Sequence, residues 1–550
     1  MPDGAEEQWA YDGLGHTTAY ENPLSQTIHY VFDAACRETA VDYPSGTDTG
    51  FTYDNADRRT GMTDSTGTTT WGFDNGNRLT SLSTPEGSTS YTLDSAGRRT
   101  AMTEPGGSWS YSYDNANHLT SQTNPFSETT TWTFDSDGRK TQQTYPNGQV
   151  DLYGYDSRSR ITSVTHENSS GGTISAETYT LDPASNLSSK TVGSSTTSYT
   201  YDAADQLLSE TAPTYSESFT YDANGNRASA NINGVSETYN VDNGDKLNSI
   251  TSVGTTLKSY SYDAAGRTTG VTTSAGTTTL SYDYESRVTG IAYPSSATNS
   301  FSYNGLDTRV SKVDSTGTYS YMRDGAGVTS AVLEDGSSSY TSGVSLHTAG
   351  ATTFDNLDFL GTSSLQTNSS QTTTATRTYD AFGSLVSSSG TPTGPFGFVG
   401  AQGYQEDGDS GLKLLGHRYY DPSTGRFLTR DRAKDGRDWY VYTSNNPLKS
   451  VDPNGDTNLR WIQLAFEIIC AHLQEQPVYP ENPNLPEPPG ITGKSGGGGS
   501  GDGGGNGDGT GGSDDNSAKW TAIAEGLLLV AVIIAAPETG GGSILLLPAL

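Results

Sequence analysis

An aromatic or apolar residue followed by aspartate recurs along this chain, and this regular series of carboxylates has a capacity for chemistry. The pairs are Tyr11-Asp12, Phe32-Asp33, Tyr53-Asp54, Phe73-Asp74, Leu93-Asp94, Tyr113-Asp114, Phe134-Asp135 and Tyr155-Asp156. They continue at Leu181-Asp182, Tyr201-Asp202, Tyr221-Asp222, Val241-Asp242, Tyr262-Asp263, Tyr282-Asp283 and Tyr303-Asn304, with a degenerate Arg323-Asp324. Steps are 20 or 21 residues, apart from one of 26 between Asp156 and Asp182. Carboxylates invite calcium, but a calcium loop clusters its ligands in one short segment. Here they are spread one to a unit, so turn formation is the better reading. The two cysteines, Cys36 and Cys470, lie 434 positions apart and cannot form a C-x-x-C site; a disulfide and two free thiols both stay open. Residues 457–550 hold a single histidine, His472, so a histidine-based nuclease is excluded there. A zinc deaminase would need H-x-E and P-C-x-x-C, and neither occurs. No metal site and no cofactor is expected.

The carboxylates must be positioned by strands. In Ser259-Tyr260-Ser261-Tyr262 polar and aromatic residues alternate with period two, the mark of a strand burying one face. Asp263-Ala264-Ala265-Gly266 then has Asp first and Gly fourth, a type I turn signature. Arg267-Thr268-Thr269-Gly270-Val271-Thr272 resumes a Thr-rich strand. One unit is two short strands and a tight turn, unable to bury its aromatic face alone. Stacked units make a continuous sheet.

Composition agrees. Of 550 residues 31% are hydrophobic and 17% charged, yet 33 Tyr, 14 Phe and 7 Trp argue against disorder. Four Met and few long apolar runs disfavour a helical protein. The net charge of −32 would repel a phosphate backbone, so no nucleic-acid partner is expected. The start, MPDGAEEQWAYDG, has no basic n-region or apolar h-region, and no signal peptide is visible.

Units such as Tyr262-Asp263-Ala264-Ala265-Gly266-Arg267 and Tyr53-Asp54-Asn55-Ala56-Asp57-Arg58-Arg59-Thr60 resemble the tyrosine–aspartate (YD) repeats of the Rhs family. That family includes bacterial polymorphic toxins, C components of insecticidal toxin complexes, and teneurins. A second stretch, Tyr419-Tyr420-Asp421-Pro422 through Gly425-Arg426-Phe427 to Asp431, resembles the Rhs-associated core motif. It continues at Trp439-Tyr440-Val441-Tyr442 and closes with Val451-Asp452-Pro453-Asn454-Gly455. The resemblance covers residues 8 to 456 and implies an all-β fold: YD-repeat strands spiralled into a hollow shell, with a short, partly helical and largely disordered tail. It also implies self-cleavage by two aspartates and an arginine, which fall by motif position on Asp431, Asp452 and Arg418, with the cut after Asn454-Gly455. Two close carboxylates sharing a proton would serve as base and acid. Asp456 stands where the family usually carries Leu, and Arg432-Ala433-Lys434-Asp435 replaces a Pro and a Gly-rich turn.

The expected organisation is a repeat shell over 1–330, degenerate repeats closing it over 331–400, and the core motif over 401–456. A short helix and Pro-rich spacer follow at 457–494, a Gly-rich linker at 495–519, and an apolar segment at 520–550. That segment's uninterrupted core, Leu527 to Ala536, is too short to span a bilayer. It would pack inside the shell or insert at a membrane. The function implied is an Rhs-type shell that encloses and delivers its own C-terminal segment, secreted or at the cell surface. Its partners would be that segment, an immunity protein or a secretion-system component. The rival reading is a cell-surface adhesion protein binding glycans or membrane.

Overall fold

The structure, a computed structural model, describes residues 4, 6–434, 438–457 and 459–460. The helix, spacer, linker and apolar segment expected beyond residue 460 lie outside them, as do Cys470 and His472; Cys36 is an exposed free thiol.

From Gln8–Tyr11 to Gly317–Ser320 every strand pairs antiparallel with the next, giving one 31-stranded ladder. The period-two pattern is the cause. In Gly87–Leu93, Thr89 and Tyr91 are buried while Ser88, Ser90 and Thr92 face solvent. On the solvent face hydroxyls pair across strands, as in Ser83–Ser88 at 2.8 Å and Thr272–Thr277 at 2.8 Å.

Each repeat turns on its aspartate. Asp94 Oδ1 accepts the N–H groups of Ala96 (2.8 Å) and Arg98 (3.0 Å), and the Gly97 N–H closes the turn on the Asp94 carbonyl at 3.0 Å. The fourth turn position is left-handed: φ is 86° at Gly97, 62° at Asp57 and 69° at Asn117. Gly, Asp and Asn tolerate that conformation best, and it puts a bulge at every turn. Arg98 then ties two repeats together. Its Nε donates to Asp94 Oδ2 at 2.7 Å, and its Nη1 donates to the Asp114 carbonyl of the next repeat at 3.2 Å. Its guanidinium lies 5.0 Å from the Tyr113 ring centroid, and Tyr113 donates its hydroxyl back to the Arg99 carbonyl. The same tie recurs at Arg58, Arg267 and Arg287. The aspartates are structural: they hold the turn and, through arginine, the neighbouring turn.

The ladder also winds back on itself. Ser45 Oγ and Tyr284 OH lie 2.7 Å apart, and Asp64 Oδ2 accepts the Gly305 N–H at 2.6 Å, across 241 residues. Beyond Ser320 a second, eight-stranded sheet covers Met322 to Gly390. It rests on earlier repeats through Tyr91–Asp324, Asn124–Thr341 and Tyr145–Asp355. Asp324, at the degenerate repeat, pairs with Arg99 instead of building a repeat turn. A four-stranded sheet follows: Gln405–Glu406, Lys413–Leu415, Arg418–Asp421 and Arg426–Phe427. Its Leu415, Tyr420 and Phe427 share one apolar cluster with Val164, Leu207 and Leu247 of the ladder. Here the closing segment fills the inner face of the ladder. The chain is an all-β, repeat-built spiral shell, with only two short 3₁₀ turns among the described residues, Gly400–Gln402 and Tyr442–Asn445.

Candidate functional site

The closing sheet exists to bury its tyrosines, and that burial places an arginine. Tyr419 and Tyr420 are buried, donating to Asp407 Oδ2 and to the Phe382 carbonyl, each at 2.7 Å. Arg418 is on the same strand and only 4% exposed, with its guanidinium 3.7 Å from the Phe427 ring centroid. From there it touches every other residue that the core-motif resemblance points to. Arg418 Nη2 lies 3.4 Å from Asp452 Oδ2 and 3.9 Å from Asp431 Oδ2. Arg418 Nε donates to the Gly455 carbonyl and lies 3.9 Å from Asp456 Oδ1. Asp431 and Asp452 thus share one guanidinium nitrogen although 21 residues separate them.

Asp452 is buried and braces the backbone on both sides of the Gly455–Asp456 peptide. Its Oδ1 accepts the N–H groups of Gly455 and Thr457, each at 3.0 Å. The Asp456 N–H is directed to Asn454 Oδ1 at 3.1 Å. Asp431 is held by the Ala433 N–H on its Oδ1 at 2.8 Å and by its own N–H on the Trp439 carbonyl.

Two glycines let these segments meet. Gly455 has φ of +84°, and a Cβ there would come within 2.6 Å of the Leu415 carbonyl. Opposite it, Gly416 has φ of +57°, and a side chain would run into the Asn454 backbone. Asn454-Gly455 is legible as a turn pair; the demand for Gly416 is not.

The electrostatics separate the groups. Burial pushes the Asp452 carboxyl up to about 7, against the pull of Arg418 and the Thr457 N–H and helped by Asp456 and Asp431. It therefore holds a proton near neutrality. Sequence reading passed over His417, beside Arg418 and 4% exposed. Burial, with Arg432 adding to it, pushes its imidazole down to about 4, so it is neutral. Its Nε2 lies 3.4 Å from Asp456 Oδ1, and neither atom has a hydrogen-bond partner. The only signal was adjacency to Arg418. The arrangement offers a polarised carbonyl, a protonated acid, a second carboxyl group and a neutral imidazole around one peptide bond. Groups of these kinds are the ones acid–base hydrolysis of an amide uses.

Comparison with known proteins bears on the fold and the repeats. The sequence model of the family described as RHS Repeat matches residues 73–108, 94–129, 113–150, 134–173 and 262–298. Toxin subunit YenC2 of Yersinia entomophaga is 44% identical over 57 residues, 10% of this chain and 6% of that protein. The tRNA3(Ser)-specific nuclease WapA of Bacillus spizizenii is 35% identical over 103 residues, 18% of this chain and 4% of that protein. A crystal structure of TcdB2-TccC3 superposes with a TM-score of 0.69 at 17% identity, over 82% of this chain and 28% of the other. A second, TcdB2-TccC3-TEV, gives 0.69 at 16% identity over 82% and 27%. The chain spans only a small part of the length of these proteins.

Proposed function

We propose that this chain, whose repeats match the RHS Repeat model, whose relatives include a toxin subunit and whose fold is that of TcdB2-TccC3, encloses its own C-terminal segment and frees it by cutting after Gly455. One observation carries this reading: Arg418 reaches both the Gly455 carbonyl and the Asp431–Asp452 pair, immediately before the tail. In the reaction, water adds its oxygen to the Gly455 carbonyl carbon while Asp431 takes a water proton. Arg418 Nε stabilises the developing oxyanion. Asp452 gives its proton to the Asp456 nitrogen as the C–N bond breaks, leaving a Gly455 carboxylate and a free Asp456 amine. Delivery in interbacterial competition, or into a target cell, follows from this reading. An immunity protein and a secretion-system component are then its partners, and the cut segment leaves with the secreted or surface-displayed shell. Among the described residues no helix is long and apolar enough to cross a membrane.

Purified full chain should run on denaturing gels as two fragments, one ending at Gly455 and one beginning at Asp456, that co-elute under native conditions. Asp431→Asn and Asp452→Asn should each restore one chain. A single intact mass for the unmutated protein would overturn the reading.

The acid role of Asp452 predicts a pH profile. Its pKa in the folded chain is about 7, so the active protonated form is present below that value and lost above it. Release, timed by quenched gel samples after refolding, should slow about tenfold per pH unit above neutrality. A rate that holds level into alkaline solution would remove Asp452 from the acid role.

A further inference from the structure

Between the repeat strands near residues 102–161 and the second sheet lies a cavity of about 160 Å³. A cavity of about that size accepts a single aromatic ring. Trp109, Trp132, Tyr153 and Phe359 supply apolar wall. Its polar atoms are unusual in what they lack.

Lys140 and Gln143 both line it. They share a face because the strand bulges: Phe134 pairs with Lys140, but Thr133 pairs with Gln142. The Lys140 ammonium sits 4.2 Å from the Tyr153 ring centroid. Among the described residues it has no hydrogen-bond or ion-pair acceptor, and burial holds it down to about 8 against the attraction of Asp151. Asp151 is itself occupied by Tyr145 OH and His166 Nδ1. Gln143 is 3% exposed, and its Oε1 accepts the Trp132 indole N–H at 3.0 Å, which sets the orientation of the amide. Its Nε2 is left without a partner, as is Nε2 of Gln402 on the same wall.

The acids on the wall are already used. Asp324 takes Arg99 and the Tyr91 hydroxyl. Asp358 takes Lys190 at 3.1 Å and the N–H groups of Leu360 and Thr362. The buried wall atoms left without a partner, Gln143 Nε2 and Gln402 Nε2, are donors. Arg99 and Arg309, by contrast, each face an acid: Arg99 has Asp324, and Arg309 has Asp407 at 3.6 Å. A half-buried cation and a buried amide without acceptors are costly unless something supplies them.

We propose that this cavity binds a small apolar carboxylate, its ring or short chain against Trp109 and Trp132 and its carboxylate at Lys140 Nζ and Gln143 Nε2. This goes beyond the shell reading and does not depend on it, since none of these residues belongs to the Arg418 site.

The probe is 3-phenylpropionate, titrated into the full chain and followed by tryptophan emission and calorimetry. A saturable change is expected. The neutral 3-phenylpropionamide should bind at least about tenfold more weakly, because it lacks the charge-assisted bond. Lys140→Met keeps the stem and removes the charge; it should weaken the acid about tenfold while the amide is unchanged. Gln143→Glu, which sets a carboxylate against the ligand's own, should abolish binding and serves as the second variant if Lys140→Met does not fold. Absence of saturation up to the solubility of the probe would overturn the proposal. So would equal affinity of acid and amide, or unchanged affinity in either folded variant.

Discussion

Arg418→Met is expected to stop release of the tail altogether and to lower the unfolding free energy by about 3–5 kcal/mol. Arg418 is the hub of the site: its guanidinium reaches Asp452, Asp431, Asp456 and the Gly455 carbonyl while stacked on Phe427. Methionine fills the space of the stem but strands carboxylates that are themselves nearly buried. Protonation of Asp452 offsets part of that loss, and more of it at low pH. Arg418→Lys separates the two effects. It returns a charge to the carboxylates and should recover much of the stability, yet one ammonium cannot meet the carboxylates and the Gly455 carbonyl together. Intact mass reads the release and guanidinium chloride unfolding reads the stability. A Lys variant that cleaves at the unmutated rate would mean the carbonyl contact is idle.

Arg309→Met should cost about 3 kcal/mol and open the closing sheet to protease. Arg309 is 2% exposed, at the last full repeat. It donates to Tyr419 OH at 2.6 Å and to Gln405 Oε1, and it lies 3.6 Å from Asp407. It is a bolt between the ladder and the sheet that presents Arg418. Asp407 keeps Lys312 at 3.5 Å and the Tyr419 hydroxyl, which places the cost at the low end for a buried ion pair. Fragments from brief proteolysis, mapped by mass, should gain cuts between residues 391 and 417. A variant within 1 kcal/mol of the parent and equally resistant would show that apolar packing alone seats the sheet.

Much of the ladder could be read in advance because its physics is local. A period of 20 or 21 residues, alternation along each strand and Asp at each turn are short-range properties, and the strands follow them. Eight of the fourteen turn aspartates have an arginine four residues on, as in Asp94 and Arg98, but the reach of that arginine to the next repeat's carbonyl depends on the spacing between paired strands and is not written in the pair. The winding came only from the family resemblance, not from any local pattern. Contacts such as Asp64–Gly305 bring together residues whose sequences carry no mark of one another. At the site, Asp431, Asp452 and Arg418 came from the resemblance of the surrounding motif; nothing in their spacing says they meet. His417 and Gly416 escaped because their importance arises from what lies across from them.

The winding has a consequence in time. Rungs of the ladder join residues a few to about twenty positions apart, so they form as fast as the chain appears. The contact between Asp64 and Gly305 must wait for 241 further residues. A ribosome adding about 5–20 residues per second takes roughly 10–50 s to supply them. For that interval the growing protein is a strip with two open edges, rolling from its N-terminal end like tape onto a spool. Its open edges are the first strand, Gln8–Tyr11, and whichever strand has just been made, and each is an invitation to pair with another chain. Production of this protein should therefore be limited by crowding of nascent strips, and slowing its translation initiation should raise the fraction recovered as single molecules.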